Sequence, residues 1–189
     1  MLHILWFWKL IYVRYCRFAV FVFYKYILEV SPNVIGKHII EYYHITAADL
    51  GVFLSVYFYA YMLMQLPLGA LLDRFGPKRV MSACLLFCVL GAFALAHAHD
   101  FSYALWARFL TGLGAAVAVL GGLKFITLCF DTRRLALMTG AMMTVGMLGA
   151  ASGNDLVQRL LEFYPWRDLL VYLALFGAGL LCLFVVCVR

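Results

Sequence analysis

The sequence predicts an all-α membrane protein that crosses the bilayer six times. Three observations carry this. Of 189 residues, 67% are hydrophobic and only 13% charged, with a mean hydropathy of +0.97, whereas soluble domains are nearer half apolar. Sixteen Phe, twelve Tyr and four Trp supply an aromatic load suited to a bilayer and its interfaces. The apolar residues fall into runs separated by short charged segments, and a hydrocarbon core of about 30 Å needs about 20 helical residues to cross. Six such runs fit in the chain beside their turns; nine or ten do not.

Residues 1–10 read as a cytoplasmic flank and 11–189 as a six-helix unit. The first run covers 11–35, the second 50–72, the third 80–98, the fourth 103–128, the fifth 135–157 and the sixth 169–188. Each must be helical, because lipid offers no partner to an open strand edge; period-two alternation is also absent. In the N-terminal stretch MLHILWFWKLIYVRYCRF, the bases Lys9, Arg14 and Arg17 interrupt the apolar residues instead of preceding them, and no small-residue cleavage site follows. That pattern is a basic flank leading into a span, not a signal peptide.

The connections set the orientation. With the N-terminus inside, nine bases lie on the cytoplasmic side: Lys9, Arg14, Arg17, Arg74, Lys78, Arg79, Arg133, Arg134 and Arg189. Three lie outside: Lys37, Arg159 and Arg167. The positive-inside bias therefore predicts both termini in the cytoplasm. Helix-end chemistry agrees. Thr46 to Asp49 has capping-box spacing before the second span, with an acid in the first turn where the helix dipole favours it. Tyr164 to Asp168 puts Pro and Trp at the outer interface before the sixth.

Several classes are disfavoured. The net charge of +6 sits in topology-setting segments and not on a soluble basic face, so no nucleic-acid partner is expected. The six cysteines form no CxxC pair and read as small packing residues. His97, His99 and Asp100 sit together at an outer turn, a short and exposed set from which no metal site is expected. No nucleophile–base pairing, phosphate loop or zinc-protease pattern is present, so no catalytic residues, enzyme activity or cofactor are expected.

One stretch stands out, GALLDRFGPKRV from Gly69 to Val80, which concentrates charge, glycine and proline between two apolar runs. Gly69, Leu71, Asp73, Arg74, Gly76, Lys78 and Arg79 follow the pattern glycine, any, leucine, any, aspartate, basic, any, glycine, then basic residues. A plain inside loop would need only bases, and not Asp73 four residues after Gly69 on the same helical face. RFLTGLGAA, Arg108 to Ala116, sets an arginine before small residues at helical spacing in the fourth run, while SPNVI closes the first run and YFYAYMLMQLPLG lies in the second.

These motifs, in this order, resemble the N-terminal half of a major facilitator superfamily transporter, departing from the first signature only at Pro77, where a base is common. The resemblance implies two inverted three-helix repeats forming one half of a carrier, with solute bound near the midplane between two halves. It also implies that the Gly69–Asp73 face packs against a helix of a second half, with glycine permitting close approach and the carboxylate favoured by a helix N-terminus. Gly69, Asp73, Arg74, Gly76, Lys78 and Arg79 are thus the expected gating or interface motif. A second six-helix half, another copy or a separate chain, is the expected partner beside the solute and the bilayer. The Gly-Pro signature of proton-driven drug antiporters is missing from the fifth run, which turns the reading away from multidrug export.

Ionisable residues at membrane depth are costly and mark function by default. Lys25 and Glu29 lie four apart in the first run, on one helix face, and Arg108 lies in the fourth; family members line their cavity with these two helices. Arg108 is the expected central cation, Glu29 the carboxylate for proton coupling and Lys25 its tuning partner. The plainer reading, a mutually neutralising pair that fixes the first helix, stands beside it. Lys124, about 160° around the helix from Arg108, is a further candidate, or snorkels to the inner interface. Tyr57, Tyr61 and Gln65 recur at four-residue spacing in the second run and either offer polar groups to a solute or pack between helices. Gly146, Gly149 and Gly153 in the fifth run predict tight helix contact.

The expected function is secondary-active transport of a small polar or charged solute by alternating access, ion-coupled as in symport. The alternatives are a truncated, non-transporting membrane fragment or a scaffold that keeps only the packing motifs.

Overall fold

The structure, a computed structural model, describes the backbone of residues 2–186 and the side chains of 11–185. The last positions of the sixth predicted run, Cys187 and Val188, and the terminal Arg189 lie outside the described residues, as do Met1 and the side chains of the predicted flank.

α1 spans Leu2–Val34 and so begins well before Ile11. Its 33 residues measure about 50 Å at 1.5 Å per residue, longer than the core of about 30 Å. If the outer end is placed at Val34, the inner boundary falls near Arg14. α1 contains Pro32 and is followed by α2, Gly36–Tyr43, bent 54° from it. His44, in the left-handed region at φ 51°, ends α2.

α3 runs Ala47–Ala96. Fifty residues amount to about 75 Å of helix, too long for one crossing, and the chain divides at Gly76, whose φ of 79° and ψ of 156° are not helical. A left-handed residue followed by proline, which starts helices well, separates two limbs, 47–75 and 77–96. The predicted second and third spans therefore meet at one glycine. Thr46 opens the first limb with the predicted capping box. Its hydroxyl accepts from the Asp49 N–H at 3.2 Å, and its own N–H donates to the Asp49 carboxylate at 2.9 Å.

α4, Phe101–Ala115, and α5, Val117–Cys129, make one 29-residue crossing, the predicted fourth. α6, Thr132–Leu160, and α7, Trp166–Val186, are the fifth and sixth. Among the described residues, four helices are long and apolar enough to cross a membrane, or five if α1 and α2 count as one broken span. With α3 divided at Gly76, the number is six, as predicted.

Close backbone approach brings these helices together. A Cβ on Gly149 would stand 2.5 Å from the Phe23 carbonyl oxygen, and Gly146 and Gly153 press on Val22, Tyr26 and Ile27, so the predicted glycine stripe seats α6 on α1. The second limb of α3 packs against α4 in the same way, a Cβ on Gly114 falling 2.3 Å from the Cys84 carbonyl oxygen. One apolar core runs through the middle and the basic end, around Phe21, Tyr24, Met81, Leu85 and Met142. A second sits at the opposite end, around Ile39, Phe53, Leu95 and Leu170. There the Ala98 carbonyl accepts a hydrogen bond from the Tyr43 hydroxyl at 2.9 Å and another from Arg167, whose guanidinium lies 4.2 Å above the Tyr42 ring. Apolar faces of the first limb of α3 (Phe58, Met62, Leu66) and of α6 (Leu137, Met147, Leu148) remain uncovered by the chain itself.

Candidate solute-binding site

The site is built from a defect in α1. In a helix the N–H of residue i donates to the carbonyl of residue i−4. Pro32 has no N–H, so the Leu28 carbonyl loses its intrahelical donor. Two side chains reach it instead: the Ser31 hydroxyl and Arg108 Nη1, each at 3.4 Å. Arg108 comes from α4, which its own glycines bring close. A Cβ on Gly112, one turn beyond Arg108, would stand 2.3 Å from the Tyr57 carbonyl oxygen.

Arg108 is 2% exposed. Its guanidinium carbon lies 4.7 Å from the ring centre of Tyr57 and 5.5 Å from that of Phe53, an aromatic seat that partly replaces lost water. Its Nε has no hydrogen-bond partner among the described residues. Burying a charge with incomplete pairing is costly, and such positions in membrane spans serve pathways and ligands.

Tyr57, fully buried, links the arginine to α1 because its hydroxyl donates to Glu29 Oε2 at 3.3 Å. Glu29 pairs with Lys25, as their four-residue spacing predicts. The Lys25 side chain is 5% exposed and that of Glu29 21%, so the cluster is closed at the lysine and opens at the carboxylate. The Lys25 ammonium also lies 4.0 Å from the Tyr26 ring centre and 5.3 Å from that of Tyr61. Tyr61 stacks on Tyr57 at 6.4 Å and is half-buried, and it shares a side-chain hydrogen bond with the exposed Gln65. The polar stripe of the first α3 limb thus leads from the buried cluster toward the open side. The result is two buried cations and one carboxylate, joined through a tyrosine and facing outward through Glu29, Tyr61 and Gln65.

Lys124 is not part of this cluster. It pairs with Asp73 at 2.7 Å at the basic end of the bundle, with both side chains substantially exposed. Asp73 therefore meets α5 of its own half. Gly69 on the same face has nothing within 4 Å of a Cβ position. Of the remaining motif residues, Gly76 makes the break, Arg74 lies over the Phe75 ring at 5.4 Å, and Lys78 and Arg79 begin the second limb. At the turn before α4 the Asp100 carboxylate accepts from the Ser102 N–H at 3.2 Å, capping that helix, and His97 Nδ1 lies 3.0 Å from the Phe93 carbonyl oxygen. Among the described residues no three His, Cys, Asp or Glu side chains are grouped to hold a metal.

Sequence reasoning missed the roles of the Leu28 carbonyl and Phe53. The first was signalled by Pro32, four residues further on. Phe53 gave no signal, since its ring matters only once α3 and α4 are packed.

Known proteins share both sequence and fold with this chain. The family model described as Major Facilitator Superfamily matches residues 17–189. The uncharacterized transporter YybO of Bacillus subtilis is 32% identical over 143 residues, covering 76% of this chain and 33% of that protein. The probable L-galactonate transporter of Escherichia coli is 26% identical over 153 residues, 81% of this chain and 34% of the relative. The 4-hydroxybenzoate transporter PcaK of Pseudomonas putida is 32% identical over 129 residues, 67% of this chain and 28% of the relative. A crystal structure of a bacterial homolog of the human lysosomal transporter Spinster, inward-facing and unoccupied, has the same fold. Its TM-score is 0.78 at 17% identity, over 93% of this chain and 42% of that one. The chain spans about a third of the length of the curated relatives it matches.

Proposed function

Since the chain belongs to the Major Facilitator Superfamily, a multi-pass family of membrane transporters, we propose that it is the first six-helix half of a secondary-active carrier for small organic anions. Completed by a second six-helix half, another copy or a separate chain, it works by alternating access around a midplane site. The uncovered faces of the first α3 limb and of α6 support such a partner.

One observation carries the choice of solute. The buried cluster holds two cations, Lys25 and Arg108, against one carboxylate, Glu29. One positive charge is therefore left over at membrane depth, where an unneutralised charge is expensive, and a carboxylate solute balances it. Two relatives carry names with carboxylate solutes, L-galactonate and 4-hydroxybenzoate. Arg108 is the anchor for the solute carboxylate, since its planar fork suits bidentate binding. Tyr57, Tyr61 and Gln65 orient the rest. Glu29, the more accessible member of its pair, takes up the coupling proton; once it is neutral, Lys25 is released to a second acceptor.

The test is binding to the purified chain with 4-hydroxybenzoate and L-galactonate as probes, read as a shift in thermal unfolding and by calorimetry. At least one should bind the wild type and neither the Arg108→Ala variant. Absence of carboxylate binding to the wild type, or equal binding by Arg108→Ala, overturns the proposal.

A further inference from the structure

At the basic end of the bundle, away from the buried cluster, two adjoining hollows are walled by α1 and α7, the first also by the start of the second α3 limb and by α5. The first is a cleft of about 120 Å³ lined by Arg14, Arg17 and Lys78 over a floor of Phe18, Phe125 and Phe184. The rings of the floor pack on one another: Phe18 stacks on Phe125 at 4.4 Å and meets Phe184 edge-on at 5.8 Å. None of the described residues lining the cleft is acidic. The second is a mostly apolar groove of about 350 Å³, with Tyr12, Cys16 and Arg17 in its wall, running between Val13 and Val20 on α1 and Leu180 and Leu183 on α7. The two hollows share Arg17 and Phe184.

Their depth matters. Measured from Val34, the core of about 30 Å ends near Arg14, which puts the three cations at the inner interface. Val20 and Leu180 lie below them, at the level of acyl chains. Local folding makes the cation cluster. Arg14 and Arg17 are three apart on one helix face, and the break at Gly76 brings Lys78 beside them from the start of the second α3 limb. A solute site needs no apolar groove at bilayer level, and a plain topology signal needs no aromatic floor.

We infer that this pair of hollows holds one anionic phospholipid, its phosphate among Arg14, Arg17 and Lys78 and an acyl chain in the groove between α1 and α7. Basic pockets between spans on the cytoplasmic side match anionic headgroups in this way. The inference rests on the chain spanning a bilayer with its basic end inside, and not on transport.

The test uses the full chain in mixed micelles doped with phosphatidylglycerol, phosphatidylcholine or phosphatidylethanolamine, reading lipid retention by native mass spectrometry and the midpoint of thermal unfolding. Phosphatidylglycerol should be retained preferentially and raise the midpoint. Arg14→Gln, Arg17→Gln and Lys78→Gln should each weaken retention about five-fold. Arg133→Gln/Arg134→Gln, at the same end of the bundle in the first turn of α6, should leave it unchanged. Leu183→Trp fills the groove without touching a charge and should also expel the lipid; it decides the matter if a cation variant fails to fold. Equal retention of the zwitterionic lipids overturns the inference, as does wild-type retention by the cation variants. Competition by glycerol 3-phosphate as effective as by the lipid means a soluble-anion site instead. An unaffected Leu183→Trp variant removes the acyl chain.

Discussion

Arg108 and Leu28 meet because a proline stands between them in cause: Pro32 leaves the Leu28 carbonyl without its helical donor, and Arg108 Nη1 supplies one from the neighbouring span at 3.4 Å. The cation at the centre of the cluster is thus held by a backbone irregularity as well as by the Tyr57 ring.

Replacing Pro32 by Ala returns an N–H to α1 and takes the Leu28 carbonyl away from Arg108. We expect a folded protein, unchanged or slightly more stable, in which carboxylate binding is weakened several-fold. Calorimetry beside thermal unfolding separates the two. Unaltered affinity would show that the arginine does not depend on this acceptor.

Removing Glu29 alone strands the buried Lys25. Glu29→Ala should cost about 3 kcal/mol, as when one member of a buried pair is lost. The double variant Lys25→Met/Glu29→Leu should recover most of that. Glu29→Gln, which keeps the shape, should abolish proton-driven accumulation in vesicles holding the complete carrier. Retained pH-gradient dependence would remove Glu29 from coupling.

The Asp73–Lys124 pair is exposed, so Asp73→Asn should change the stability of this half by less than about 1 kcal/mol. If the Gly69–Asp73 face also meets a second half, the same variant should weaken that association, measured by co-purification of the two halves. A large stability loss with unaltered association would mean the pair serves only its own half.

Glycines divide by what faces them. Gly149→Ala places a methyl against the Phe23 carbonyl and should destabilise the chain by about 1–3 kcal/mol as overpacking does. Gly140→Ala, with nothing within 4 Å, should be neutral or slightly stabilising, since alanine favours helix. Thermal unfolding of the two variants side by side tests the α1–α6 seat.

Much of this was legible in the chain. Six spans follow from run length and the bilayer's thickness, and the capping box at Thr46 and the glycine stripe of α6 are local patterns that packing respected. The ions were legible from rarity and spacing: Lys25, Glu29 and Arg108 stand out in apolar runs, and the structure brings all three to one place. Other features lay beyond it. The turn expected between 72 and 80 shrank to Gly76, because a single positive-φ glycine breaks the helix without a loop. The short α2 was missed because its Lys, His and Glu residues read as a connection. Lys124 reads as a cavity cation or, more readily, as a snorkelling base, and only the fold shows that Asp73 is within its reach.

Where the Ala98 carbonyl takes both Tyr43 and Arg167, three stretches distant in sequence are riveted at one atom: the segment after α1, the turn before α4 and the start of α7. A bundle pinned in this way at its far rim has little freedom to splay there. If the proposed carrier exposes the arginine to each side in turn, this pinned rim favours a swing of the six helices as one body over opening between them.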